Sequence, residues 1–351
     1  MFTFDFFCGA GGLTRGFLDA GIKVIAGFDI DEDCRATYEY NNQGVKFYAR
    51  DIREITASEI KEISGKESFN DTIFAGCAPC QPFSQQRKGE RPGREARLLA
   101  ELGRLTEEVK PGFVVVENVP GIARVNGNST FKRFLKLLQR NGYRYTFSTI
   151  DAKYYGVPQT RRRLILVAAR RVEPSLPKPK CEPSLRPFKT VRDTISKFPY
   201  LRAGSCHLHI PNHAAACITA INMERLKNTP HDGGDRRFWP EHLILKCHKE
   251  KGNGKTYKGH TDVYGRMCWD KPSPTLTGRC NSISNGRYGH PEQDRAISLR
   301  EAAALQTFPD DYIFFGKQNH IALQIGNAVP VLLAKELGEH IRSMCNDDSN
   351  V

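Results

Sequence analysis

The 351-residue sequence lacks any apolar run long enough to cross a membrane. It also lacks the basic-then-apolar opening of a secretory leader: the first residues, MFTFDFFCGAGG, carry an acid and glycines instead. Acid is in short supply, with 39 Asp+Glu against 52 Lys+Arg and a formal net charge of +13. Such an excess serves solubility, or it serves a polyanionic partner, because Lys and Arg that neutralise phosphates release counterions. A disulfide framework is not indicated either. The 11 cysteines are an odd number, and without a leader the expectation is free thiols in a reducing cytoplasm. No internal repeat is present. With 39% hydrophobic and 26% charged residues, the composition is that of an ordinary globular protein.

What is present is alternation. Residues 2–7 and 22–28 read as strands, 71–76 and 112–117 as short buried strands, and 143–150 and 163–169 as closing strands. Helical stretches fall between them, through about Ala20, over 33–41, 95–109 and 128–140. This order predicts a largely parallel sheet with helices on both faces, whose ligands sit at the carboxyl ends of the strands. After Arg171 the texture changes. Prolines crowd at 174, 177, 179, 183 and 187, periodicity fades, and residues 171–270 hold 18 Lys+Arg against 10 Asp+Glu. A second, loop-rich domain is expected there. Ser298 with Glu301 three residues on predicts a capping box at the start of a helix, and 331–344 an amphipathic final helix.

The first strand runs into Phe7-Cys8-Gly9-Ala10-Gly11-Gly12. Glycines at a strand-to-helix turn let backbone approach a ligand beside the positive end of the helix. Asp29, about 20 residues on, ends the second strand and suits a ribose; Asp51 is expected to end the third and suits an adenine amino group. The spacing departs from G-x-G-x-x-G, because Thr14 stands where the last glycine belongs. That weakens a nicotinamide-dependent oxidoreductase, the other reading of such a loop.

Residues 76–84 read GCAPCQPFS. Cys77 and Cys80 fit a zinc half-site, a redox pair or a nucleophile. No second pair stands at zinc spacing, and Pro82 interrupts the helix a redox pair would lead into. A nucleophile at a strand end makes chemical sense. Glu117-Asn118-Val119 closes another strand, where a carboxylate is costly unless paired or functional. Gln159-Thr160-Arg161-Arg162-Arg163 enters a strand, so Arg161 and Arg163 share a face. Cys206, His207, His209, His213 and Cys217 fit no common zinc finger, and no metal is expected.

These pieces together resemble the C5-cytosine DNA methyltransferase family: DFFCGAGG, the Asp29 region ending in YEYN, Asp51-Ile52, PCQ at 79–81, ENV at 117–119, Q-x-R-x-R at 159–163, SLREAAALQTFPDDY at 298–312 and GNAVP at 326–330. They keep the family's order and cover about 1–170 and 270–344. The stretch 175–268 carries no matching motif and falls where the family has its target-recognition region.

The resemblance implies an α/β, doubly wound, Rossmann-like S-adenosylmethionine-dependent domain, residues 1–172 completed by a C-terminal helix at 325–344. A small target-recognition domain, 173–320, would complete the chain. It implies Cys80 as the thiolate that attacks C6 of cytosine, Glu117 as the group that meets N3, and Arg161 and Arg163 as support at the base carbonyl. The cofactor would lie against Phe7, Gly9, Gly11, Asp29, Ile30, Asp51, Ile52, Pro79, Leu98 and Asn327. Ile30 stands where family members often have Trp. DNA would meet Gln81, Ser84, Arg87, Arg97, Arg236, Arg237, Thr277 and Arg279. Double-stranded DNA is the implied partner, either beside a cognate restriction endonuclease acting on the same site, with no stable complex implied, or as a solitary methyltransferase, which is equally compatible; a monomeric state and a bacterial cytoplasm with nucleoid association when bound are expected. A tRNA cytosine-5 methyltransferase would use the same chemistry.

Overall fold

The computed structural model describes residues 1–78, 98–124, 129–181, 187–248 and 262–347. The segment carrying Pro79, Cys80, Gln81, Ser84, Arg87 and Arg97 lies outside the described residues. The chain folds as two units. One comprises Met1–Gly156, Arg161–Glu182 and Ala328–Val351, the other Val157–Thr160 and Pro183–Asn327.

The first unit is built on seven strands: β1 (Phe2–Phe6), β2 (Lys23–Asp29), β3 (Lys46–Ala49), β4 (Thr72–Gly76), β5 (Phe113–Asn118), β6 (Arg144–Asp151) and β7 (Arg162–Ala169). Their order is β3-β2-β1-β4-β5-β7-β6. The first five are parallel, and β7 runs antiparallel to both β5 and β6. Every residue of β4 and β5 is buried, which is why these runs are apolar rather than alternating. Phe4, Phe6, Phe28 and Phe74 pack ring against ring at the centre.

Helices α1 (Gly12–Asp19), α2 (Arg35–Asn41), α3 (Ala57–Ser64), α4 (Leu98–Val109) and α5 (Thr130–Arg140) connect the strands. The sequence pattern alone does not predict α3, which is short and weakly periodic. It is held at its ends instead: the Thr56 hydroxyl accepts from the Glu59 N–H, and left-handed Gly65 closes the last turn. The final helix, Val331–Asp347, returns to this unit and packs on α1. The packing is close: a Cβ on Gly16 would sit 2.4 Å from Ala334 Cβ and 2.5 Å from the Val331 carbonyl. Any side chain there would push the two helices apart.

In the second unit the regular elements are four short α-helices, α6 (Val191–Ile195), α7 (Ala220–Lys227), α8 (Leu299–Leu305) and α9 (Gln318–Asn327). The final helix is therefore α10. The capping box at Ser298 and Glu301 is present: the Ser298 hydroxyl accepts from Glu301 N–H, and the Glu301 carboxylate from Ser298 N–H. Helix α9 does not stand out in the sequence, because its buried residues are few and mixed with polar ones. A small core gathers Trp239, Leu243, Tyr264, Ile283 and Ala296.

Candidate active site

The strand order reverses between β1 and β4, and a crevice forms at the carboxyl ends of strands at such a switch point. The chemistry-bearing residues leave from these ends. Asp29 closes β2, Phe7 to Gly11 follow β1, Cys77 and Ala78 follow β4, and Glu117 and Asn118 close β5. Because β7 is antiparallel, its beginning lies at the same edge and brings Arg163 there.

The glycine loop is built for close approach. Gly9 and Gly11 lie at φ 48° and 85°, in the left-handed region. Phe7 shares that region at φ 62°, at a cost of roughly 1–3 kcal/mol for a residue with a Cβ. Such strain persists where a functional turn demands it. The Gly9 N–H donates to Asp29 Oδ2 at 2.8 Å, and the Asp31 N–H to Oδ1 at 3.0 Å. Burial pushes the Asp29 carboxyl above its ordinary range, against the pull of those N–H groups.

Beneath the loop, Thr14 explains the missing third glycine. It is fully buried; its hydroxyl donates to Asp5 Oδ2 at 2.6 Å and lies 2.8 Å from Tyr38 Oη. This position fastens strand to helix through a hydroxyl where a dinucleotide loop uses bare backbone. Burial drives the Asp5 carboxyl up to about 7, with the Thr14 bond opposing and Asp29 adding. Nothing in the sequence pattern separates Asp5 from an ordinary strand residue.

The loop and acids suit an adenosine-bearing cofactor. Ile30 is 69% exposed directly after Asp29, an apolar surface beside a hydrogen-bonding carboxylate. Ile52 is part of the core, and Leu98 opens α4, packed against it. Asp51 departs from expectation. Strand β3 stops at Ala49, two residues earlier, and Asp51 is held by Arg53, which donates from Nε at 2.9 Å and from Nη2. That pairing, first of all, holds the Asp51 carboxyl below its ordinary value.

At the other strand ends, Arg163 Nε lies 2.9 Å from Glu117 Oε1. The Asn118 side chain donates to the Ala78 carbonyl at 3.1 Å and accepts from the Val119 N–H. It thus ties β5 to the backbone two residues before Cys80. Asn118 is absent from the residues expected to work here, although it is the middle residue of the ENV motif. Exposure alternates along 161–163 as a strand requires: Arg161 buried, Arg162 exposed, Arg163 partly buried. Arg161 donates from Nη2 to the Ala328 carbonyl, and its backbone N–H donates to Asp151. Gln159, from the same motif, belongs to the second unit, where it bonds Gln306 Oε1 and the Leu276 N–H.

Of the residues expected to meet DNA, four are described, all in the second unit. Asp235 holds one of them. Its buried carboxylate accepts from the Arg237 backbone and from Arg237 Nε and Nη2, and Oδ2 also accepts from Arg287 Nη2. Arg237 holds it down to about 2. The Arg237 side chain is nonetheless 82% exposed, so a fixed guanidinium is presented to solvent. Arg236 precedes it in the same 3-10 turn. Thr277 Oγ1 lies 3.2 Å from Tyr288 Oη, and Arg279 is exposed. Asn327 ends α9. Among the described residues of the second unit, the Cys206–Cys217 stretch forms no cluster of metal-ligand geometry.

The sheet order, the glycine loop and the acids at successive strand ends define a doubly wound methyltransferase of the S-adenosylmethionine-dependent class. The family model for C-5 cytosine-specific DNA methylase matches residues 1–343. A Type II methylase of Herpetosiphon aurantiacus, M.HgiDII, is 41% identical over 96% of this chain and 94% of its own length. The Type II methyltransferase M1.HphI of Haemophilus parahaemolyticus is 33% identical over 97% and 86%. In fold, the chain is similar to an Escherichia coli prophage protein described as a DNA modification methyltransferase, with TM-score 0.76, 22% identity and 99% of both chains covered. The chain belongs to the C-5 cytosine-specific DNA methylase family, and it is an enzyme of that family. The matched span includes 175–268, where no separate motif stands out.

Proposed function

We propose that the chain transfers the methyl group of S-adenosylmethionine to C5 of a cytosine swung out of duplex DNA, at a specific sequence, with Cys80 as nucleophile. The carrying observation is the line of neighbouring strand ends. Glycine loop, Asp29, the backbone leading to Cys80, and the Glu117–Arg163 pair all leave the same edge of one sheet.

C5 of cytosine is a poor nucleophile. Bond formation between the Cys80 sulfur and C6 makes an enamine that is nucleophilic at C5. The Glu117 carboxyl gives its proton to N3 as the sulfur attacks C6, so the enamine forms neutral and the negative charge passes to Glu117. Arg163 supports Glu117 and the base carbonyl, and Arg161 fixes the strand behind it. S-adenosylmethionine, when bound, supplies an electrophilic methyl on its sulfonium. Phe7, Gly9, Gly11, Asp29, Ile30, Asp51, Ile52 and Leu98 would hold it; Pro79 and Asn327 are assigned to it by the family resemblance alone. Loss of the C5 proton and of Cys80 restores the aromatic base. The target must leave the stack to reach such a pocket.

DNA contact is assigned to Gln81, Ser84, Arg87 and Arg97 after the thiol, and to Arg236, Arg237, Thr277 and Arg279 in the second unit. The clamp of Asp235 on Arg237 supports this, because an exposed guanidinium fixed in advance loses little freedom on binding a phosphate or base edge. The Type II names of the bacterial relatives support a modification role; an endonuclease acting on the same site, a monomeric state and a place in the cytoplasm and on the nucleoid are part of the same proposal. No helix of the described residues is long and apolar enough to cross a membrane.

The test is methyl transfer to duplex DNA and tRNA side by side, with wild type and Cys80→Ala. Transfer to DNA is expected, with a loss of roughly 10⁴-fold or more in the variant. Duplex DNA with 5-fluorocytosine at the target should trap the wild type at Cys80. Transfer only to tRNA, or a trap at Cys77, would overturn the reading.

A further inference from the structure

We propose that Cys77 is a positioning residue whose thiol, opposite the Arg163 guanidinium, holds the Glu117 carboxylate in the orientation that meets N3 of the target cytosine. This rests on the role assigned to Glu117 above.

The geometry comes from two parallel strands in register. Gly76 of β4 pairs with Val116 of β5, so the next residues, Cys77 and Glu117, stand side by side where the strands end. That register sets the Cys77 thiol beside the Glu117 side chain, near enough for the two groups to bear on one another. Burial first, then the charges of Glu117 and Asp5, push the thiol well above its ordinary value. It therefore stays an S–H donor and does not compete with Cys80 as a thiolate.

Arg163 alone does not fix the carboxylate. Its Nε lies 2.9 Å from Glu117 Oε1, yet that buried oxygen has no aligned hydrogen bond. The ion pair supplies charge without direction. Cys77 supplies direction, because its own place is fixed by backbone. Its N–H reaches the Phe6 carbonyl at 3.4 Å, and the adjoining Ala78 carbonyl is held by Asn118. The charged groups bearing on the pair are Arg163 from β7 and Asp5 from β1.

The experiment compares wild type, C77A and C77S as full chains on duplex DNA. C77A is expected to lower kcat by about 10- to 100-fold, with the KM for S-adenosylmethionine unchanged. C77S, which keeps a donor, should recover kcat to within about threefold. Thermal transitions and cofactor binding are measured on each protein; should C77A not fold, C77V serves as the donor-free variant. A donor-free variant with wild-type kcat overturns the inference, as does C77S impaired as far as C77A. Wild type that fails to methylate DNA overturns instead the reading of the site on which the inference stands.

Discussion

The two units solve the same backbone problem differently. In the first, the sheet pairs the buried N–H and C=O groups of seven strands, and side chains are free to be apolar. In the second, the described residues contain only isolated bridges and short helices, so many carbonyls have no ladder partner. Three buried arginines take their place. Arg266 donates to the carbonyls of Leu226, Thr229, His290 and Gln293 and pairs with Asp294. Arg300 reaches the carbonyls of Pro211, Pro309 and Tyr312. Arg295 forks onto buried Glu301 at 2.7 Å. Five donors on one planar group can satisfy what no regular element does. A loop-rich domain can thus be rigid, but its rigidity is polar.

The sharpest break of this comparison is Arg266→Met against Ile165→Val. The first keeps much of the stem but takes a donor from four carbonyls, of which those of Leu226 and Gln293 keep a backbone partner, and leaves Asp294 without its guanidinium, so it should cost on the order of 3–5 kcal/mol. The second trims a fully buried residue of β7 and should cost about 0.5–1.5 kcal/mol. Urea unfolding of each variant reads the difference. Equal losses would mean that the second unit is held by apolar packing after all.

The units should also answer pH with opposite sign. Asp5 in the first is raised from 3.8 to about 7. The folded state holds that proton more tightly, so its contribution is full below 3.8 and is lost as pH rises through 7. His290 in the second, almost fully buried, is lowered from 6.5 to about 4, chiefly by burial. Here the unfolded state binds the proton more tightly, so the contribution is full above 6.5 and is lost as pH falls towards 4. Each is worth on the order of 3 kcal/mol at its far end. Asp5→Asn should flatten the loss on the alkaline side. His290→Asn, which keeps an acceptor for the Glu292 and Gln293 N–H groups, should flatten it on the acid side. Thermal melts from pH 4 to 8 check both; slopes unchanged from wild type would refute the assignment.

The smallest effect sharpens the division of labour. Arg237→Ala should weaken DNA binding about tenfold and reduce the slope of log K against log salt by about one. Asp235→Asn should do part of the same by releasing the guanidinium. Binding of S-adenosylmethionine, proposed above to rest mainly on residues of the first unit, should not change. A salt slope equal to wild type would place Arg237 away from the DNA.

The contrast between units also marks where the sequence is legible. Strands 72–76 and 113–118 show as runs rich in apolar residues because they are buried along their whole length, while 2–6 shows through its alternating phenylalanines. The glycine loop shows because left-handed backbone selects glycine. The capping box at Ser298 shows because its two hydrogen bonds need those residue types three apart. Asp51 does not occupy the strand end expected of it, since boundaries depend on pairing partners and not on local pattern. Asn118, Thr14 and Asp235 carry no local signal of their roles, because those roles lie in partners elsewhere in the fold. In the second unit, Arg266, Arg295 and Arg300 look in sequence like solvated charge and are fully buried.

By itself the sequence determined the chemistry on offer: a glycine turn, acids and a thiol-bearing loop at successive strand ends, in an order the family shares. Those follow from local rules of backbone conformation and burial. Only the tertiary structure decided which strand ends are neighbours, and therefore that Cys77 stands beside Glu117 with Arg163 opposite. Sheet order and the reversal of β7 fix those distances, and no local pattern encodes them.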